Sequence, residues 1–123
     1  MLLPGLTLDP GAVLDSAAVY LTTSAFEGQG LALAEALAHG VPVVAYDIRY
    51  GPRDMLADGG GILVPDGDEG ALAEALVRVL RDAALRQRLS AEARVGATAL
   101  SPARAMETLA AVAAEALSRP TRR

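Results

Sequence analysis

Cysteine is absent from this chain, and so is lysine. Without cysteine there is neither a disulfide framework nor a thiolate metal site. A single histidine in 123 residues makes zinc chemistry improbable as well. Aromatic residues make up only 3% of the chain, so its core must rest on Leu, Val, Ile and abundant Ala. All 11 basic residues are arginine, and the net charge is -4. That balance argues against general polyanion binding, nucleic acid included, because neutralising phosphates needs clustered cations. Met1-Leu2-Leu3-Pro4-Gly5 has neither the basic start nor the apolar core of a signal peptide. No apolar run approaches the ~20 residues that span a bilayer. The expectation is a soluble cytoplasmic protein.

What is present is enough to fold. With 52% hydrophobic and 21% charged residues the chain is not disordered, and its length suits one domain with a real core. Leu2-Leu3 reads as the stub of a strand. Asp9-Pro10-Gly11 opens a short helix to about Ser16, with Asp9 as N-cap and Pro10 at the first helical position. Residues 18–23 read as a strand, and Gly28 to His39 as a turn and helix closed by Gly40. A strand over 42–46 follows, then a short helix from Pro52 to about Ala57 and a last strand at Ile62-Leu63-Val64. Beyond it the chain is helical. Asp68 caps a helix to about Arg81 with Leu72, Ala75, Leu76 and Val79 on one face. A second helix covers 83–98, and Ser101-Pro102 starts a third, with Met106, Leu109, Ala113 and Leu117 in a stripe. The expected domain runs over 1–118, with a polar tail at 119–123.

Strands alternating with helices imply right-handed crossovers and an α/β fold with a parallel sheet. Ligands of such sheets bind beyond the carboxyl ends of the strands. Ser24 to Gly30 and Asp47 to Arg53 both lie just past strand ends, so the two loops share one edge.

The first of these loops carries the most informative feature, Glu27 and Glu35 separated by seven residues. Gly28 and Gly30 let a backbone approach a ligand where side chains would block it. The helix begins there, so its free N–H groups and positive dipole end face the loop and favour a phosphate. Glu35 lies roughly 8 Å along the helix at ~1.5 Å per residue, a depth that suits two adjacent ribose hydroxyls. Its neighbours Ala34, Ala36, Leu37 and Ala38 are apolar, and an acid buried among them would need a partner. Arg49 and Arg53 flank a Gly-Pro turn on the same edge, where they could meet phosphate of a donor or an acceptor. Tyr46 and Tyr50 could line the acceptor side but read first as core or turn packing, and His39 as structural, in a last helical turn that favours a cation.

The run from Phe26 to Gly40 resembles the acidic Glu-x7-Glu motif of retaining GT-B glycosyltransferases, especially glycosyltransferase family 4. Val19 to Ser24, Gly40 to Ala45 and Gly61 to Asp68 resemble that family's flanking strands and turn, in order and spacing. Tyr46 to Met55 is similar to a subset acting on glycerol-phosphate polymers or serine-rich proteins, though Asp54 stands where the family more often has Glu. The resemblance implies a partial Rossmann-like C-terminal half-domain of about three to four parallel strands, flanking helices and a helical C-terminus. It implies a nucleoside-diphosphate sugar as donor substrate, a UDP-sugar carrying glucose or N-acetylglucosamine, and no other cofactor. It places Glu27 on the sugar hydroxyls as the motif's catalytic residue. Gly28, Gln29, Gly30 and Leu31 then meet sugar and diphosphate through their amides, and Glu35 meets the ribose.

The same resemblance marks what to expect elsewhere. The family's upstream Arg and Lys, which neutralise the leaving diphosphate, have no counterpart here, and neither has the acceptor-binding N-terminal domain. The expected partner is therefore that domain or a second chain, and the expected chain alone is catalytically incompetent. No metal and no Asp-x-Asp metal site are expected, since helix dipole and basic groups replace them. Two other readings stand beside the enzyme fragment: a non-catalytic binding or chaperone-like subunit, and an inactive remnant. Self-association through the Met106 to Leu117 stripe is a further expectation.

Overall fold

A computed structural model describes residues 5–28, 30–100 and 102–118. Asp9 accepts from the Ala12 amide and opens α1, Pro10–Ser16, with proline in its first turn. Next come β1, Tyr20–Thr22, α2, Leu31–Ala38, and β2, Val43–Tyr46. The chain continues through α3, Pro52–Met55, and β3, Gly61–Val64, and ends in α4, Glu69–Arg81, α5, Ala83–Ala99, and α6, Pro102–Ser118.

The three strands form one parallel sheet in the order β1-β2-β3. Tyr20 pairs with Val43 and Val43 with Gly61, so the strands end together and their following loops rise from a common edge. All four residues of β2 are buried, as a central parallel strand covered on both faces requires. Alternation divides its side chains. Val44 and Tyr46 pack with Val64, Leu72, Val79 and Leu89, while Val43 and Ala45 pack with Leu33, Leu37, Leu56 and Ala93. Helix α5 serves both clusters, through Leu89 on one face and Ala93 on the other. Val43, Val44, Leu37 and Val79 are fully buried, each burial contributing about 1.5–3 kcal/mol.

Most expected elements are found, with shifted ends. The first strand contracts to three residues because pairing with β2 stops at Thr22. Helix α2, Leu31–Ala38, follows a turn within the expected turn and helix from Gly28, with Gly30 at φ 60° as its N-cap. Helix α3 stops at Met55 instead of Ala57. Gly40, at φ 72°, closes α2 as its sequence position indicates. The Leu2-Leu3 stub, the Ser101 start and the 119–123 tail lie outside the described residues. Two helices stand apart from the core: α1 buries no residue, and every described side chain of α6 is exposed.

Candidate functional site

The common edge of the sheet gathers the loops after β1 and β2. After Thr22 the chain turns at once, the Thr22 hydroxyl donating to the Ser24 hydroxyl at 3.2 Å. Further on, Glu27 is half-buried against the loop that follows β2. Ala25, Phe26, Glu27, Ile48, Arg49 and Tyr50 line a cavity of about 210 Å³ between the two loops. Phe26 and Tyr50 are exposed aromatic rings on its rim, and the Arg49 guanidinium stands 5.4 Å from the Tyr50 ring centre. An exposed cation over an aromatic face is worth about 0.5–1 kcal/mol, so Arg49 is lightly held.

Beside the cavity, α2 begins at the buried Gly30 with no side chain capping its first amides and no acid in its first turn. Those amides are the orphan donors of a helix start, and they suit an anion. The Met55 thioether lies beneath Gly30, 3.6 Å from where a β-carbon on that glycine would stand. Gln29 lies outside the described residues, and the Leu31 side chain is exposed, which leaves its backbone as the part of interest.

The expectation of an acid buried in α2 needs correction. Glu35 is exposed, so desolvation gives it no need of a partner. What links it to Glu27 is Tyr20, a residue the sequence reading passed over as part of the leading strand. Burial pushes the Tyr20 phenol above its ordinary value of 10.0, and the charges of Glu27 and then Glu35 push the same way. Both carboxylates of the motif thus act on one phenol. The only advance signal is an aromatic on a β1 face that also carries α2.

The two candidate arginines differ. Arg53 Nε donates to Asp47 Oδ1 at 2.6 Å, which holds the Asp47 carboxyl below its ordinary range and raises Arg53. The pair is exposed and contributes little to stability, but it occupies Arg53 in this conformation. Arg49 faces the Glu27 cavity with no carboxylate partner among the described residues. Tyr46 lies in the core, whereas Tyr50 lines the cavity. His39 is structural: its Nδ1 meets Asp15 Oδ1 at 2.6 Å and ties α2 to α1. It borders a larger cavity, about 470 Å³, which opens at the opposite edge of the sheet by Pro42, away from the motif loops. Arg86, on that cavity's wall, already donates to the Val79 and Leu80 carbonyls.

An Asp-x-Asp spacing does occur, at Asp66-Gly67-Asp68, and corrects the expectation of none. Asp68 is used as the cap of α4, accepting from the Ala71 amide at 2.9 Å. Among the described residues no three acids or histidines cluster as metal ligands.

A parallel half-sheet with an uncapped helix start and an acid-bearing loop at its carboxyl edge defines a class, the parallel α/β folds whose ligands sit beyond the strand ends. The family can be stated more narrowly. The model of the glycosyl transferases group 1 matches residues 5–95, and the chain belongs to that family. A poly(glycerol-phosphate) alpha-glucosyltransferase of Bacillus subtilis is 36% identical over 92 residues, covering 74% of this chain. A poly(ribitol-phosphate) alpha-N-acetylglucosaminyltransferase of Staphylococcus aureus is 33% identical over 75% of the chain. Among solved structures, a S. aureus TarM variant in complex with fondaparinux, alpha-GlcNAc-glycerol and UDP superposes with a TM-score of 0.73 at 31% identity, covering 77% of this chain. The fold is thus part of a GT-B glycosyltransferase. The chain spans 14% and 19% of the length of the two enzymes and 20% of the TarM chain.

Proposed function

We propose that the chain is the donor-binding part of a retaining hexosyltransferase, residues 1–118 forming a half-site for a nucleoside-diphosphate sugar. The carrying observation is the uncapped start of α2 beside the half-buried Glu27, both on the carboxyl edge of a parallel sheet. The orphan amides from Gly30 onward hold the diphosphate, whose charge the helix dipole favours. Gly28 and Gly30, lacking side chains, let the backbone approach the sugar. Glu27 accepts hydrogen bonds from the sugar hydroxyls at the reacting end, and Glu35, free in solvent on the helix that follows, accepts from the ribose. Arg49 is the cation best placed to answer phosphate, and Arg53 joins it only by leaving Asp47.

The donor is read as a UDP-sugar because the TarM relative holds UDP and the relatives' names specify glucosyl and N-acetylglucosaminyl transfer. The acceptor hydroxyl is presented by a further domain, in a longer polypeptide or in a partner chain. None of the described helices is long and apolar enough to cross a membrane.

Ligand-observed NMR with UDP, UDP-glucose and UDP-N-acetylglucosamine tests the half-site. Saturable binding is expected, and Glu35→Ala is expected to weaken it at least tenfold, about 1.4 kcal/mol. Because Glu35 is exposed, the same change should leave unfolding free energy within about 0.5 kcal/mol of wild type. No binding by folded protein would count against the half-site and favour the non-catalytic subunit.

A further inference from the structure

Glu27 is held from the side by a glycine on the other loop. Gly51 adopts φ 85° and ψ -97°, a region that residues with a β-carbon rarely enter. It is buried, and it cannot retreat. Its carbonyl accepts from the Met55 amide at 2.9 Å to start α3, and the next residue, Pro52, is among the fully buried side chains. A β-carbon placed on Gly51 would stand 3.1 Å from the Glu27 β-carbon, inside the roughly 3.5–4.0 Å at which two carbons rest. The 47–51 loop is anchored by α3 and the core, so Glu27 is the partner that would yield.

We propose that Gly51 is a positioning residue for Glu27, its bare backbone setting where that carboxylate enters the cavity between the two loops. The proposal rests on the reading that Glu27 meets the donor sugar. A β-carbon at 51 moves Glu27 by a few tenths of an ångström, a shift on the scale of the about 0.5 Å to which sites of this kind hold their groups. The nucleotide contacts, which use α2 and Glu35, stay where they are.

The test compares UDP with UDP-glucose and UDP-N-acetylglucosamine on wild type and Gly51→Ala. Wild type should bind one UDP-sugar more tightly than UDP. Gly51→Ala should lose that sugar-dependent gain, about tenfold, while its affinity for UDP stays within about twofold. A general loss of structure would weaken all three ligands alike, and a retained gain would overturn the proposal. Should Gly51→Ala not fold, D-alanine at position 51, installed by semisynthesis, accepts the positive φ and turns its methyl along the other Cα–H direction. That protein should keep the gain, and its loss there would also overturn the proposal. No sugar-dependent gain in wild type would sink the donor-sugar reading instead. The contact itself is then judged without ligand, by an unfolding cycle of Gly51→Ala, Glu27→Gly and the double variant. Gly51→Ala should be less damaging in the Glu27→Gly background than in wild type, and simple additivity would refute the contact.

Discussion

At the residue scale the site turns on how few groups it has. With no lysine, and Arg53 paired to Asp47, charge at the edge comes from Arg49 and from backbone amides. The acids are also few, and Tyr20 reports on both. Its phenol is raised chiefly by burial and then by Glu27 and Glu35, so folding favours the protonated form. Stability linked to Tyr20 is therefore complete below its ordinary value of 10.0 and is lost as pH rises through that value and on through the folded one. Phenolate absorbance followed with pH should include a late step from Tyr20, and Tyr20→Phe should remove that contribution. Glu27→Gln and Glu35→Gln should each bring the step part of the way down, with the larger return for Glu27. Neither should restore the ordinary value, because burial remains. A step unmoved by both substitutions would mean that the two carboxylates do not share the phenol's surroundings.

At the element scale the molecule is uneven. Strand β2 is buried throughout and braced by α2, α4 and α5, whereas α6 exposes every described side chain. A 17-residue helix without tertiary packing is marginal in water. Amide exchange in α6 should then be close to that of an unfolded chain, while Val44 and Ala45 exchange only with global unfolding. Deleting residues 102–118 should change unfolding free energy by less than about 0.5 kcal/mol. Strong protection across α6 in the isolated chain would reveal a packing partner, a second copy included. The Met106, Leu109 and Leu117 side chains, all exposed, are where such a partner would sit.

The same unevenness governs what the sequence discloses. Elements fixed by local chemistry are legible: Asp9 and Asp68 cap their helices, Gly40 ends α2, and the apolar run 43–46 is the central strand. So is the common edge, which follows from alternation of strands and helices alone. Contacts between the loops are not legible, because they depend on register. Nothing in the spacing of Glu27 and Gly51 says that they touch, nor that Arg53 turns to Asp47 rather than outward. Burial misleads at Glu35, where apolar sequence neighbours suggest an enclosed acid. An eight-residue helix with one face on the core leaves its other face in water, and Glu35 falls there.

At the scale of the whole molecule, binding and turnover separate. The matched enzymes are several times longer than this chain, which spans 14% and 19% of them. The proposed half-site would recognise a nucleotide by itself, since the amides and acids assigned to it belong to one loop and the helix that follows it. Transfer demands more. The leaving diphosphate must be neutralised as it departs, and losing one preorganised contact of that kind costs on the order of a hundredfold or more in rate. An acceptor hydroxyl must also be held against the anomeric carbon, which is worth several kcal/mol. The described edge offers Arg49 and the α2 amides toward the first requirement, and among the described residues only the small cavity beside Glu27 toward the second. The purified chain should therefore gain stability with UDP, by about 2.7 kcal/mol at a hundredfold excess over Kd, while releasing no sugar from UDP-glucose. Thermal unfolding with and without nucleotide and a UDP-release assay measure the two sides. Release of UDP by the chain alone, abolished by Glu27→Ala, would place the full catalytic apparatus within these 123 residues. A stability gain without turnover would place acceptor positioning in another domain or chain, to be sought by adding candidates until UDP release appears.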